Sequence, residues 1–184
     1  MKILLVGGCG FIGFNVLEHL KTQKYRKIYV VDNLSGQSSK INYLKIKSKH
    51  QKVQFKNIDV SNFKKISNLI KKLKPDVILA LHGQVAVTKS IKDPRTDFQN
   101  NFLSVFNLLE AAKIFSPKSI IINLSSNKVY GKIKGLKLKE SKYKFTSKTL
   151  IDENNSLKFE SPYACSKGAA DQYLLDYYKL FGIK

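Results

Sequence analysis

The opening twelve residues constrain the fold of this chain more than any other stretch. Lys2-Ile3-Leu4-Leu5-Val6 is an apolar run with no charge after Lys2, the pattern of a parallel strand buried on both faces. It breaks into Gly7-Gly8-Cys9-Gly10, after which Phe11, Ile12, Val16, Leu17 and Leu20 take up helical spacing. Gly7, Gly10 and Gly13 form G-x-x-G-x-x-G, a relative of the turn that seats a dinucleotide. Glycine is needed there for the tight turn, for close approach of backbone to a pyrophosphate, and for contact of helix with strand. The helix that opens at this turn offers unpaired N–H groups and a positive dipole end to phosphate.

A glycine turn alone is a weak signal, but its surroundings strengthen it. Lys27 to Val31 predicts a second strand, and Asp32 stands at its tip. A carboxylate at that point can accept both ribose hydroxyls of NAD and would repel the extra phosphate of NADP. Strand, turn, helix, strand and acid within one compact unit predict a dinucleotide site.

The rest of the chain continues the alternation. Asn33 to Ser39 reads as a polar loop, Val53 to Ile58 as a third strand followed by Asp59. Phe63, Ile66, Leu69, Ile70 and Leu73 keep helical spacing, and Lys74-Pro75-Asp76 ends that helix. Val77 to Leu81 is a fourth strand, followed by a loop with Gln84, Val85 and Val87. Asp93-Pro94 marks a turn and helix start, and Phe98 to Phe115 reads as one long buried helix. Ser119 to Leu124 is a fifth strand, and Tyr163 to Phe181 a closing helix. Between them, Gly131 to Ser161 is a lysine-rich excursion without a clear period. The fold class is therefore α/β: a doubly wound parallel sheet, Rossmann-like, within a single domain over 1–184. Ligands of such sheets bind beyond the carboxyl ends of the strands, where the glycine turn, Asp32, Asp59 and the Gln84 loop would gather.

Composition narrows the function classes. The formal charge of +20 would suit a polyanion, but the lysines are dispersed and no nucleic-acid motif accompanies them. They read as a solvated surface, denser at Lys40 to Lys56, Lys64 to Lys74 and Lys132 to Lys148, with no nucleic-acid partner. No apolar run approaches membrane-spanning length, and Met1-Lys2 leads straight into a strand, which predicts neither signal peptide nor membrane association. Cys9 and Cys165 read as small buried residues, suited to a reducing cytoplasm. His19, His50 and His82 are too scattered for a metal site, and the first two are expected on helix surfaces or loops.

Three residues carry candidate chemistry. Tyr163 and Lys167, four apart on the last helix, share a face about 6 Å apart. A phenol's reference pKa near 10 is too high for a base at neutral pH. An ammonium about 5 Å away, at an effective dielectric of about 20, favours the phenolate by roughly 3 kcal/mol, or some two pKa units. Tyr163 could then take a proton from a sugar hydroxyl while hydride leaves for NAD. Lys167 would also hold the nicotinamide ribose, and Ser126, just past the fifth strand, could hydrogen-bond the reacting oxygen.

With these residues in place the chain resembles the extended short-chain dehydrogenase/reductase family, the NAD-dependent nucleotide-sugar epimerases and dehydratases. The markers are Gly7 to Gly13, Asp32-Asn33-Leu34-Ser35, Asp59, Asn101, Ser125-Ser126-Asn127-Lys128-Val129-Tyr130-Gly131, and Tyr163-x-x-x-Lys167. Within the family, Gln84 to Thr88 with Asp97-Phe98, and Ser161 to Tyr173, are similar to the wording of the 2-epimerases that act on CDP-linked dideoxyhexoses. The resemblance implies strand order 3-2-1-4-5, and catalysis by Ser126, Tyr163 and Lys167. It also implies an NAD site of Gly7, Gly10, Phe11, Ile12, Gly13, Asp32, Asn33, Asp59, Val60, Ala80, Leu81, Gly83, Gln84, Asn101, Tyr163 and Lys167. It implies a CDP-hexose substrate and transient oxidation at C2, and a homodimer through the helices at about 96–115 and 162–181.

The dehydratases of the family carry Asp-Glu directly after the catalytic Ser or Thr. Here those positions are Asn127 and Lys128, so elimination of water lacks its acid and base, which favours epimerisation. The family's histidine after the fourth strand is absent; His82 lies two places on and receives no role. A sixth strand and the domain that grips the nucleotide sugar are also expected to be missing. The alternatives are thus a truncated cofactor-binding module without turnover, or an epimerase or reductase acting elsewhere on another nucleotide sugar.

Overall fold

The computed structural model of the protein describes residues 1–20, 27–50, 52–132, 139–141, 144–146 and 151–184. Five parallel strands, β1 (Lys2–Val6), β2 (Lys27–Asp32), β3 (Gln54–Asn57), β4 (Val77–Ala80) and β5 (Ile120–Asn123), form one sheet in the order β3-β2-β1-β4-β5. This is the predicted Rossmann-like order. The register brings the strand ends into one row: Val6 lies opposite both Val31 and Ala80, Asp32 opposite Asn57, and Ala80 opposite Asn123. Every strand therefore delivers its next residues to the same rim, which is what a site built from separate loops requires.

Alternation along β1 divides the core in two. Leu4 and Val6 face α3 (Phe63–Leu73), α6 (Ser104–Phe115) and α7 (Pro162–Phe181), burying Ile66, Ile70, Leu108, Leu109 and Tyr177. Ile3 and Leu5 face the other way, with Leu17 of α1 (Phe11–Leu20) and Ile46 of α2 (Gln37–Lys49). A strand apolar on both faces needs a helical layer on each side, as found.

Three expectations are corrected. The polar loop at Asn33 to Ser39 ends early, because α2 begins at Gln37. That helix buries only Ile46 fully, so its lysine-rich surface leaves no apolar period to read. Val87, expected in a loop, opens the short helix α4 (Val87–Lys92). The long helix expected from Phe98 starts instead with α5 (Pro94–Phe98), where the Asp93 carboxylate accepts the Thr96 N–H at 3.0 Å. It then widens into a π turn at Gln99–Leu103 before continuing as α6.

Past β5 a 3₁₀ turn, Asn127–Tyr130, precedes the excursion, in which β6 (Lys139–Ser141) and β7 (Lys144–Thr146) pair antiparallel. The remainder of the dense lysine patch predicted at Lys132 to Lys148 lies largely outside the described residues. Helix α7 begins at Ser161, whose Oγ accepts the Ala164 N–H at 3.1 Å, and ends at Gly182 in the left-handed region (φ 68°). The chain then turns onto β5: Ile183 is buried and the Ile121 N–H donates to the Lys184 carbonyl at 2.7 Å. Among the described residues no helix is long and apolar enough to cross a membrane.

Candidate active site

A cleft of about 590 Å³ opens above the strand ends. Its walls include Gly7, Gly10, Phe11, Ile12, Asp32, Asn33, Asp59, Val60, Leu81, Gly83 and Gln84, eleven of the residues expected around the cofactor. Gly13, Ala80, Asn101, Tyr163, Lys167 and Ser126, also expected at the site, are not among the residues that line this cleft.

The glycine turn is a cradle that a side chain would fill. A Cβ on Gly13 would stand 2.2 Å from the Gly7 carbonyl oxygen and 2.6 Å from Gly8 Cα. Gly7 has φ of +75°, and a Cβ on it would meet the backbone of His82 at 2.6 Å. Asp32 is buried, and its two carboxylate oxygens accept the Cys9 N–H at 3.0 Å and the Leu34 N–H at 2.9 Å. Each oxygen keeps a lone pair for a ligand hydroxyl. The Cys9 thiol is pushed up to about 12, by burial first and then by the Asp32 charge, so it stays protonated. Cys165, by contrast, is exposed and not the buried residue expected.

Asp59 forms the next wall. Its carboxylate accepts the Ser61 N–H (2.9 Å), the Ser61 hydroxyl (2.7 Å) and the Asn33 amide (3.2 Å). Burial alone would raise its pKa, but these donors hold it below the usual carboxylate value.

On the far side the polar groups are tied to one another. Asn101 is buried and fully engaged: its Oδ1 accepts the Gln84 N–H (2.9 Å), and its amide donates to Gln84 O (3.0 Å) and Asp97 Oδ1 (2.9 Å). It supports the Gln84 loop from behind. Asp97, wholly buried, also accepts Gln84 Nε2 at 2.9 Å and the Ser166 hydroxyl at 2.8 Å. The Tyr163 N–H donates to the buried Ser90 Oγ at 3.2 Å, which fixes the start of α7 against α4. Asp97 and Ser166 entered the sequence reading only inside stretches similar to the family, without a task, and Ser90 did not enter it at all. The only local signal for them was Asp97-x-x-x-Asn101, a pair one helical turn apart.

Lys167 joins the two sides. It is buried, and its ammonium donates to the Leu124 carbonyl at 2.9 Å, just past β5. A Cβ on Gly83, whose φ is +135°, would lie 3.3 Å from Lys167 Nζ and 2.5 Å from Asn101 Oδ1. The absence of a side chain at Gly83 thus leaves the ammonium at the back of the cleft wall. Burial lowers the Lys167 pKa, opposed by the charges of Asp171 and Asp97. Ser126 Oγ accepts the Lys128 N–H at 3.2 Å, which leaves its own proton free to donate. A second cavity of about 580 Å³ lies beside it, lined by Asn127, Lys128, Tyr130, Lys132, Glu160 and Ser161 among others.

Of the histidines, His19 is exposed on α1 and His50 lies just past the end of α2, as expected of them. The His50 side chain is nevertheless buried there and pairs with Glu18. His82, given no role above, lines the cleft, and its Nε2 lies 2.7 Å from Ser104 Oγ. The Ser104 hydroxyl gives its proton to Asn100 O at 2.7 Å, so it accepts from Nε2–H and leaves Nδ1 as a bare acceptor. That Nδ1 is buried and has no hydrogen-bond partner among the described residues. Burial, and then the Lys167 charge, depress the His82 pKa to about 3, against the opposing charge of Asp59.

The chain matches the family described as GDP-mannose 4,6 dehydratase over residues 4–184. It belongs to this family of NAD-dependent epimerases and dehydratases. A CDP-paratose 2-epimerase from Salmonella typhi is 41% identical over all of this chain and 54% of its own length. A dTDP-D-glucose 4,6-dehydratase from Dictyostelium discoideum is 31% identical over 98% of this chain and 41% of its own. Among solved structures, Pal from Bacillus thuringiensis superposes with a TM-score of 0.83 at 29% identity, covering 100% of this chain and 53% of that one. The UDP-glucose 4-epimerase of Thermus thermophilus in complex with NAD gives 0.80 at 26%, with the same coverage. This member of the family spans about half the length of the curated relatives it matches.

Proposed function

We propose that this chain is the cofactor-holding and reacting part of an NAD-dependent nucleotide-sugar epimerase working at C2 of a CDP-linked hexose. The observation that carries the reading is Lys167, a buried cation set between Gly83 of the dinucleotide cleft and the β5 end that leads to Ser126. The cleft suits NAD: the Gly7–Gly13 cradle for its pyrophosphate, Asp32 for an adenosine ribose, and Asp59 with Val60 beside the base. NAD, when bound, supplies an acceptor for the C2 hydride and its donor to the opposite face.

This chain's own residues handle the proton. Tyr163 takes it from the sugar hydroxyl and later returns it, Ser126 donates a hydrogen bond to the reacting oxygen, and Lys167 supplies a positive charge on the same helix face. Asn127 and Lys128 stand where an eliminating enzyme needs carboxylates, which supports epimerisation over dehydration. The 41% identity to a CDP-paratose 2-epimerase supports the choice of C2.

The test is incubation of the product of the complete reading frame with CDP-paratose, read by NMR of the sugar. Interconversion with CDP-tyvelose is expected, and Tyr163→Phe should lower turnover by about 100-fold or more while NAD is retained. Full activity of Tyr163→Phe, or conversion only at C4, overturns the reading. Because this chain spans about half of its relatives, a second reading is a cofactor-binding module. NAD retention by these 184 residues, with no turnover even in the complete product, is what it requires.

A homodimer through α5–α6 and α7 is part of the proposal. Phe98, Leu175, Tyr178, Leu180 and Phe181 expose apolar surface there. Sedimentation should show a dimer that Leu180→Glu dissociates; a monomer at micromolar concentration removes the claim.

A further inference from the structure

Helix α7 carries a third polar residue in line with Tyr163 and Lys167. Asp171 lies one further turn along, on the same face. Its Oδ2 accepts a short hydrogen bond from Ser125 Oγ, and its Oδ1 accepts Asn123 Nδ2 at 3.4 Å. Lys167 Nζ donates to the carbonyl of the intervening Leu124 at 2.9 Å. Two side chains of α7 thus grip three consecutive residues at the end of β5, and the next residue is Ser126.

We infer that Asp171 is a positioning residue: its carboxylate holds the Asn123–Ser125 segment on α7, so setting Ser126 relative to Tyr163, and it places an anion on the helix that carries the buried Lys167. The inference rests on the reading of Ser126, Tyr163 and Lys167 as the reacting groups. Two observations separate it from ordinary helix packing. First, of the two adjacent serines only Ser125 is spent on the clamp, which leaves the Ser126 proton available for the reacting oxygen. Second, Asp171 is the foremost of the charges that oppose the desolvation of Lys167, ahead of Asp97. An ammonium removed from water without a nearby anion gives up its proton more readily. The clamp therefore bears on catalysis through geometry and through charge.

Asp171→Asn and Asp171→Ala divide these contributions. Asparagine keeps an oxygen to accept from Ser125 or Asn123 but removes the charge; alanine removes both. In the 184-residue chain, the titration of Lys167 followed by NMR of its ¹³Cε should move to lower pH in both variants. The backbone amide shifts of residues 124–126 should move strongly only in Asp171→Ala. NAD affinity, which depends on the cradle at the other side of the cleft, should change less than about threefold in Asp171→Asn. In the complete product, turnover should fall by about tenfold in Asp171→Asn and further in Asp171→Ala, with Asp171→Glu recovering part of the loss. An unmoved Lys167 titration together with unmoved 124–126 resonances overturns the inference, whatever happens to the melting temperature. A moved titration in a product whose Tyr163→Phe variant is fully active would instead retain the clamp and reject the proposed function.

Discussion

On the β1–β2 side of the cleft the working atoms are backbone atoms and one carboxylate, all within a stretch that the chain completes by Asp32. On the β5–α7 side they are side chains, and the contacts that aim them cross 43 residues of sequence for Lys167 to Leu124 and 46 for Asp171 to Ser125. The first side works by leaving things out: no Cβ fits at Gly7 or Gly13. The second works by mutual restraint, since Asn101, Asp97 and Ser166 hold one another and the Gln84 loop. A site of omissions should fail abruptly when filled, whereas a site of restraints should weaken step by step.

The sharpest way to break the contrast is Gly13→Ala. The added methyl would stand 2.2 Å from the Gly7 carbonyl and must displace the turn, costing about 3 kcal/mol or more. Calorimetry should then detect no NAD binding; wild-type affinity and melting in this variant would end the comparison.

The seam between the sides is tested next, through His82, which feels charge from both Asp59 and Lys167. Unfolded, this histidine takes up a proton near pH 6.5; folded, only at about 3. Between those values the unfolded state binds more protons, so stability rises with pH across the window. It is complete above about 6.5 and lost as pH falls. The slope reaches about 1.4 kcal/mol per pH unit. His82→Gln should flatten urea-unfolding stability between pH 6.5 and 5, above the range where carboxylates titrate. An unchanged slope would mean the imidazole is not buried neutral.

The smallest effect belongs to the restrained side. Ser161→Ala removes the cap of α7, and should cost about 1 kcal/mol in urea unfolding while NAD affinity is unaltered. An abrupt loss of NAD binding there would place both sides in one class.

The same contrast explains what could be read before any coordinates. The strand order, the cradle and Asp32 follow from short patterns, because a buried strand and a turn without side chains admit few residue types. Helix α3 was readable from Ile66, Leu69, Ile70 and Leu73 alone. Helix α2 was not, since a helix lying on the surface with Ile46 as its one fully buried residue has nothing periodic to show. Asn101 was found by resemblance, but its task could not be, because Gln84 and Asp97 meet it only once α5 and the β4 loop are folded. Asp171 carried a faint signal in its spacing from Tyr163 and Lys167. Of its partners, Ser125 stood among the family markers without a task, and Asn123 had no signal.

The π turn at Gln99–Leu103 has one last consequence. It holds about one residue more per turn than an α-helix, so whatever follows is rotated by roughly 100°. Upstream of the turn Asp97, and within it Asn101, face the Gln84 loop; downstream, Asn107 reaches the Val60 and Ser61 carbonyls beside Asp59. A single helical rod thereby braces both flanks of the cleft, and its phasing acts as a one-residue vernier that sets how far apart they stand.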